Sequence, residues 1–431
     1  MNDVTRFAHF NEFRNGIRGS RTHLIVGIDI AKDKHHAFFG TAYGQALWRR
    51  LIFTNDLIGY SRLIEQVQAV SSQHQLEQVV FGIEPTSNYH KPLAHWLIKQ
   101  GYLVVLVGGK AVKDNRELLT GRWDKNDTKD SANVADLISQ GKCLFYEQPD
   151  DNIIAVRNLL ILRKQLKKQE HRLRMRIRNG LLAKYFPELD RHWGNNLEEN
   201  LAIVRWYLDP RKIANTEFDQ FVNHVTTVDR GLRQMRRLRA IYQAAGDSVG
   251  LPVDASAGYE AQMLVEGLKV VKEQVSQTMQ RIESVCQDIA GYKLLQTIPG
   301  FGPFIGAVVL TALANPFRFT SRKQVIRLAG LDLNASRSGK KSRDSVPVIS
   351  KKGDADLRYA LYQAALVASY SSDGFRRLYH RILEDRHAER GIKTKARVKL
   401  AAKMLVVAWT MLKNNEPFDA MRMLGESFQQ R

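Results

Sequence analysis

Short β-branched apolar runs, interleaved with helical periodicity, fill the first 150 residues and leave few folds open. Residues 23–30 (HLIVGIDI), 78–84 (QVVFGIE) and 102–108 (YLVVLVG) are bounded by polar residues, the pattern of buried strands. Residues 35–40 (HHAFFG) and 45–53 (QALWRRLIF) read as two more strands, with Tyr43 and Gly44 supplying the turn. Helical period marks 56–70, 90–100 and about 128–141. A three-stranded meander followed by strand–helix–strand predicts a mixed α/β sheet with helices on its faces.

At 431 residues the chain exceeds one typical core, so two or three domains are expected. Charge divides it. Residues 1–150 hold 18 Lys and Arg against 16 Asp and Glu, a net of +2, whereas the whole chain carries +21. The remaining +19 points to a near-neutral module joined to a part that grips a polyanion. Two cysteines, Cys143 and Cys286, are too few for a disulfide framework and lack zinc spacing. No apolar run reaches membrane-spanning length, and MNDVTRFAHFNEFRNG lacks a signal-peptide core, so a cytoplasmic location with no membrane partner is expected.

Residues 157–178 hold nine basic side chains and one acidic one, with leucines at 159, 160, 162, 166 and 173. This predicts a long basic amphipathic helix. Arg163, Lys164, Lys167, Lys168, Arg172, Arg174, Arg176 and Arg178 are its candidate nucleic-acid contacts. A solvated face on a helical bundle is the alternative. Residues 258–289 repeat apolar positions at roughly heptad spacing and predict a long helix pairing with another, within or between chains. Residues 184–250 are mixed and rich in arginine, with no assignable role.

Carboxylates are concentrated in RWDKNDTKDSANVAD, residues 122–136. A helix beginning near Thr128 puts Asp127 at or next to its N-cap and Asp130 on its first turn, where a capping role is one reading. Asp124 precedes the helix, and Asp136 lies nearly opposite Asp130 on it. Asp29 stands in an otherwise apolar strand, where a carboxylate is costly unless paired or metal-bound. Glu84 ends another strand, between Gly82 and Pro85. Four carboxylates from two strands and a helix form an oxygen-donor set suited to Mg2+ or Mn2+. Two such ions can bracket a phosphodiester, one activating the nucleophile and one stabilising the leaving oxygen.

Two further motifs lie near the C-terminus. In KLLQTIPGFGPFIGAVVLTAL, Gly300 and Gly302 permit a tight turn before a helix, an arrangement similar to the helix-hairpin-helix of DNA-binding enzymes. A purely structural αα-hairpin is the alternative. In GLDLNASRSGKKSRDS, Ser336, Ser338, Ser342 and Ser345 sit among Arg337, Lys340, Lys341 and Arg343. This is either a flexible surface loop or a serine nucleophile in a cationic pocket.

These features, in this order, resemble the DEDD insertion-sequence transposases, bridge-RNA-guided serine recombinases with a RuvC-like (ribonuclease-H-like) domain. The matching stretches are GIDIAKDKHHAFF, GIEPTSNYHKPLAHWL, NDTKDSANVADLI, LLQTIPGFGPFIGAVVLTAL and the run from RLAGLDLNASRSG through SKKGDADLRYALY. The resemblance implies a RuvC-like α/β domain over 1–150, a helical coiled-coil and oligomerisation region over 151–290, and a mostly α transposase domain over 291–431. It implies that Asp29, Glu84, Asp127 and Asp130 bind the metal, two Mg2+ or Mn2+ ions, and that Ser338 is the nucleophile through a covalent phosphoserine. It implies donor and target DNA and a structured guide RNA as partners, and a homodimer or homotetramer whose metal site in one subunit serves the serine domain of another. Ser87 stands where the family often carries glycine after Glu-x-Thr. The competing readings are a junction-resolving nuclease that uses activated water, and a non-catalytic nucleic-acid scaffold.

Overall fold

The computed structural model describes residues 3–120, 127–194, 197–226, 231–334, 348–384 and 386–425. Two compact units emerge. The first takes the chain to Asp150 together with Asn315–Thr320, and the second takes Asp151–Ala314 and the chain from Ser321 onward.

The first unit begins with helix α1 (Asp3–Gly16) and continues through strands β1 (His23–Asp29), β2 (Lys34–Thr41) and β3 (Ala46–Thr54). Helix α2 (Leu57–His74), strand β4 (Gln78–Glu84), helix α3 (His90–Lys99) and strand β5 (Leu103–Leu106) follow. Helices α4 (Gly109–Thr120) and α5 (Asp127–Ser139) and the short strand β6 (Leu144–Phe145) complete it. The sheet order is β3-β2-β1-β4-β5-β6. β1, β2 and β3 pair antiparallel, whereas β4 runs parallel to β1 and β5 parallel to β4. A mixed sheet with an antiparallel meander and parallel crossovers is consistent with the RuvC-like expectation. Helices α1 and α4 lie outside the helical segments expected above. α4 offers Val112 and Ala111 to the core, but Lys110, Lys113, Asp114, Asn115, Arg116 and Glu117 interrupt the stripe, so its periodicity is faint.

Period-two alternation gives each sheet face its own core. Leu24, Val26, Ile28, Phe81 and Ile83 pack with α2 and α3. Ile25, Val80 and Val105 face the other way, toward α1 and α5. On that second face Gly27 lies in register with Gly82. A Cβ on Gly27 would come within 2.2 Å of the Ser131 carbonyl oxygen and 2.7 Å of the Ala135 nitrogen. A Cβ on Gly82 would strike Ile138 at 1.8 Å. The paired glycines are thus a trough that α5 fills. At the other end of α5, the Gln140 and Gly141 carbonyls accept from Arg18 (3.0 Å), just beyond α1, and Arg14 (3.3 Å), in its last turn, both ahead of β1. α5 therefore runs antiparallel to β1, and its N-terminus lies at the carboxyl edge of the sheet.

The second unit is helical. α6 (Asp151–Arg176) passes through a π-helical turn, Ile177–Leu182, into short helices α7 (Ala183–Tyr185), α8 (Leu197–Tyr207), α9 (Pro210–Ala214), α10 (Phe218–Val225) and α11 (Leu232–Gly246). These build their own core around Phe186, Trp193, Leu201, Phe221 and Ile241, closed by Ala261, Leu264 and Leu268 of α12 (Ala255–Gln287). The segment that sequence left unassigned is therefore a compact helical block. α12 lies along α6 within the same chain, antiparallel: Arg176 pairs with Glu260 at 2.8 Å, and Gly267 faces Leu173.

Helices α13 (Tyr292–Gln296), α14 (Pro303–Leu313) and α15 (Arg322–Leu328) follow. Two-residue strands β7 (Leu333–Asn334) and β8 (Val348–Ile349) pair antiparallel, and α16 (Ala355–Ser371), α17 (Asp373–Leu383), α18 (Ile392–Asn414) and α19 (Ala420–Leu424) end the described chain. No helix of the described residues is long and apolar enough to cross a membrane.

The trough makes a stability prediction. Gly27→Ala should destabilise the protein by about 2–3 kcal/mol, because the added methyl meets backbone that cannot step aside. Gly108→Ala, with nothing within 4 Å of its Cβ, should cost less than about 0.5 kcal/mol. Urea unfolding of both variants measures the difference. Equal midpoints would mean that α5 does not rest on the glycine pair.

Candidate functional site

Three of the four candidate metal-site carboxylates can be placed with their side chains. Asp29 and Glu84 are the last residues of β1 and β4 and are direct register partners across the parallel pair. Alternation puts them on the face of Gly27 and Gly82, the face that α5 covers. Asp130 stands on the first turns of α5 and is 1% exposed. Asp127 begins α5 at the same edge, but its side chain lies outside the described residues. The fold thus carries all four backbone positions to one edge.

Side chains that sequence reasoning missed complete this edge. His36 of β2 is the register partner of Asp29 on the other side, so His36, Asp29 and Glu84 form a row across three strands. Glu84 meets the start of α4: a Cβ on Gly109 would lie 2.8 Å from its Oε1. Glycine there lets the carboxylate approach the helix N-terminus, whose exposed N–H groups favour negative charge. Further along α4, Arg116 donates from Nη2 to Asp130 Oδ1 as a buried ion pair. Its neighbour Asn115 donates to Asp136 Oδ2 at 2.8 Å, and Gln140 donates to the same oxygen at 2.8 Å. Asp136 therefore fastens α4 to α5. A strand-pairing diagram could have found His36; the Arg116 contact needs the tertiary fold.

The donor chemistry fits a divalent hard cation, since carboxylate oxygens dominate the edge and no thiol stands among them. Among the described residues no three acidic, His or Cys side chains already close on one point. The fit rests on donor type and on the Asp29–Glu84 register. Burial pushes the Cys143 thiol up to about 11 and the Cys286 thiol to about 12, so neither supplies a thiolate near neutral pH.

Ser338, Arg337, Lys340 and Lys341 lie outside the described residues, as does Asp124. What is described is the base that carries the serine segment. β7 and β8 flank it, and below them Ser350 N–H donates to the Asp332 carbonyl at 2.7 Å, Lys351 N–H to Gly330 at 3.0 Å and Asp354 N–H to Leu328 at 2.7 Å. Gly330 and Gly353 pass so closely that a Cβ on Gly353 would lie 2.3 Å from the Gly330 nitrogen. Arg358 caps the Ala329 carbonyl at 2.8 Å.

The two glycines of PGFGP have different surroundings. Gly300 has φ +87°, and a Cβ on it would lie 2.6 Å from the Ala364 carbonyl oxygen, so close packing on α16 accounts for it. Gly302 is exposed at the N-cap of α14, with open space around it. Nearby, Arg163 stacks over the Phe304 ring at 3.9 Å.

Much of the basic charge of α6 and the π-helical turn is engaged within the second unit. Lys164 pairs with Asp356 (2.7 Å), Lys167 with Glu170 (2.5 Å), Arg176 with Glu260 (2.8 Å) and Arg178 with Asp190 (2.5 Å). Arg174 is half-buried, whereas Lys168 and Arg172 are exposed.

Comparison with known proteins points to one family. A DEDD-type family model described as Transposase matches residues 26–187, and one described as Transposase IS116/IS110/IS902 family matches residues 292–380. Together they take in more than half of the chain. The pilin gene-inverting protein of Moraxella bovis is 23% identical over 399 residues, covering 91% of this chain and 97% of that protein. An insertion element IS110 protein of 43.6 kDa from Streptomyces coelicolor is 24% identical over 411 residues, covering 93% of this chain and 97% of that protein.

Two outcomes follow. Ser87, in the exposed loop after Glu84, has φ +49°, a left-handed conformation that favours glycine. Ser87→Gly should stabilise the protein by about 0.5–1 kcal/mol, read as a raised melting temperature; a lowered one would refute this account of the position. Replacing exposed Lys168 and Arg172 by Gln should weaken nucleic-acid binding and lower the slope of log K against log salt by about 2, with a small effect on stability. Replacing Arg176 and Arg178 should cost stability more and the slope less. The reverse pattern in salt titrations would show that the paired arginines are the contacts.

Proposed function

The chain belongs to the IS110 family of DEDD transposases and is a DNA transposase/recombinase, and from that premise we propose that it cuts and rejoins DNA through Ser338, assisted by a metal site of Asp29, Glu84, Asp127 and Asp130. The observation that carries the reading is the register of Asp29 with Glu84 at the sheet edge where α5 begins. Asp29, Glu84, Asp127 and Asp130 would hold Mg2+ or Mn2+, two ions in this reading. When bound, the ions stabilise charge on the phosphate and on the departing oxygen.

The remaining chemistry belongs to the chain. Ser338 Oγ attacks phosphorus and gives up its proton as the O–P bond forms. The bond to the bridging deoxyribose oxygen breaks, and that oxygen takes a proton. The phosphoserine retains the phosphodiester's bonding, so a strand hydroxyl can later attack it and restore Ser338. Arg337, Lys340 and Lys341 stabilise the phosphorane-like charge. The base of Gly330, Gly353 and Arg358 holds together the described residues on either side of the serine segment.

Donor and target DNA are the substrates in this reading. A structured guide RNA reads the bases, while Lys168, Arg172 and the exposed Gly302 turn contact the nucleic-acid backbone. The turn and α14 serve as a helix-hairpin-helix. Residues 1–150, 151–290 and 291–431 act as the metal-binding, helical and serine-bearing parts. Assembly is a homodimer or homotetramer in which one subunit's carboxylates serve another's serine.

Purified protein with guide RNA, donor and target DNA tests the proposal. Ser338→Ala should abolish the covalent protein–DNA adduct and lower strand exchange about 10³-fold or more. Asp29→Asn should do the same. An identical adduct from Ser338→Ala would remove the serine assignment, and cleavage with no adduct in the parent protein would favour a water-using nuclease.

A further inference from the structure

We propose that Arg116 is an exchangeable counter-ion for the acidic edge: it neutralises Asp130 when no divalent cation is bound and competes with that cation for the carboxylate. The proposal rests on the metal reading above and adds a residue that lies outside the DEDD set.

Asp130 is 1% exposed, and a carboxylate so buried is costly unless an opposite charge stays beside it. Arg116 supplies that charge from α4, with its side chain 15% exposed. Gathering Asp29, Glu84 and Asp130 at one edge also sets like charges against each other. A guanidinium relieves that repulsion by one unit and a divalent ion by two. Both cannot sit tightly on one carboxylate, because cation and guanidinium repel.

Consecutive residues of α4 divide the labour. Asn115 holds Asp136 by a neutral hydrogen bond at 2.8 Å, and Gln140 supports the same carboxylate. That contact can persist whatever the charge at the edge. Arg116, one residue on, grips Asp130 six positions earlier on α5. One contact anchors the helix pair, and the other can exchange.

Mn2+ titration of the full-length protein, followed by the electron paramagnetic resonance signal of the free ion, tests this together with melting temperatures. Arg116→Gln should melt lower than the parent without divalent ion, gain more from Mn2+, and bind Mn2+ about tenfold more tightly. Arg116→Lys keeps the charge and should stay within about twofold of the parent affinity. Asn115→Ala should lower the melting temperature equally with and without Mn2+ and leave affinity unchanged. Arg116→Gln with weaker or unchanged Mn2+ binding overturns the proposal, as does Arg116→Lys behaving like Arg116→Gln. The Asp29→Asn variant reads the metal assignment alone: unaltered Mn2+ binding there places the ion elsewhere and removes the premise, whatever Arg116 does.

Discussion

Helix α5 reaches the sheet because two facing strand positions carry no side chain. Gly27 and Gly82 are register partners, and backbone and side-chain atoms of α5 occupy the space their Cβ atoms would fill. That approach fixes how far the acidic helix stands from β1 and β4. It also fixes the height of Asp130 relative to Asp29 and Glu84. Any bulkier residue would lift the helix and carry its carboxylates away from the strand ends. The electrostatics of the edge thus depend on a steric condition two residues back along each strand.

Around that contact the fold arranges charge by distance in sequence. α4 and α5 pair Arg116 with Asp130 and Asn115 with Asp136, 14 and 21 residues apart in sequence, whereas the second unit pairs α6 with partners much further away. Lys164 and Asp356 are 192 residues apart, and Arg176 and Glu260 are 84 apart. A basic helix that looks committed to a polyanion therefore spends part of its charge on organising its own unit. Surface pairs of this kind each contribute about 0–1 kcal/mol, so their main effect is on which cations remain available.

Legibility follows the range of the interaction. β1, β4 and their carboxylates were readable because apolar runs mark strands locally and Asp29 and Glu84 interrupt or end them. The helical start at Asp127 was readable from capping chemistry. That Asp29 and Glu84 meet at a sheet edge is legible from their strand ends, but their exact register is not, because it depends on a crossover through α2. Helix α1 is not legible although Phe7, Phe10, Phe13 and Ile17 recur at helical spacing, since its polar residues mask the stripe. The compact block of α7 to α11 had no legible pattern because its core is assembled from many short pieces and closed by α12. Arg116 and His36 carry no local mark at all: each matters only through a partner on another element. The choice of Ser338 among the four serines of its segment rests on resemblance alone.

One segment bears on how the protein comes into being. Asn315–Thr320 belongs to the first unit, where Arg318 pairs with Glu147 at 3.0 Å, although some 165 residues of chain lie between this segment and Asp150. During synthesis at about 5–20 residues per second, the sheet unit waits roughly 8–30 seconds for its last piece to emerge. Over that interval the nascent sheet unit lacks the segment, with Glu147 awaiting its arginine. Completion of the carboxylate-bearing unit is thereby tied to translation of most of the helical one, so a truncated transcript leaves the unit that bears the acidic edge unfinished.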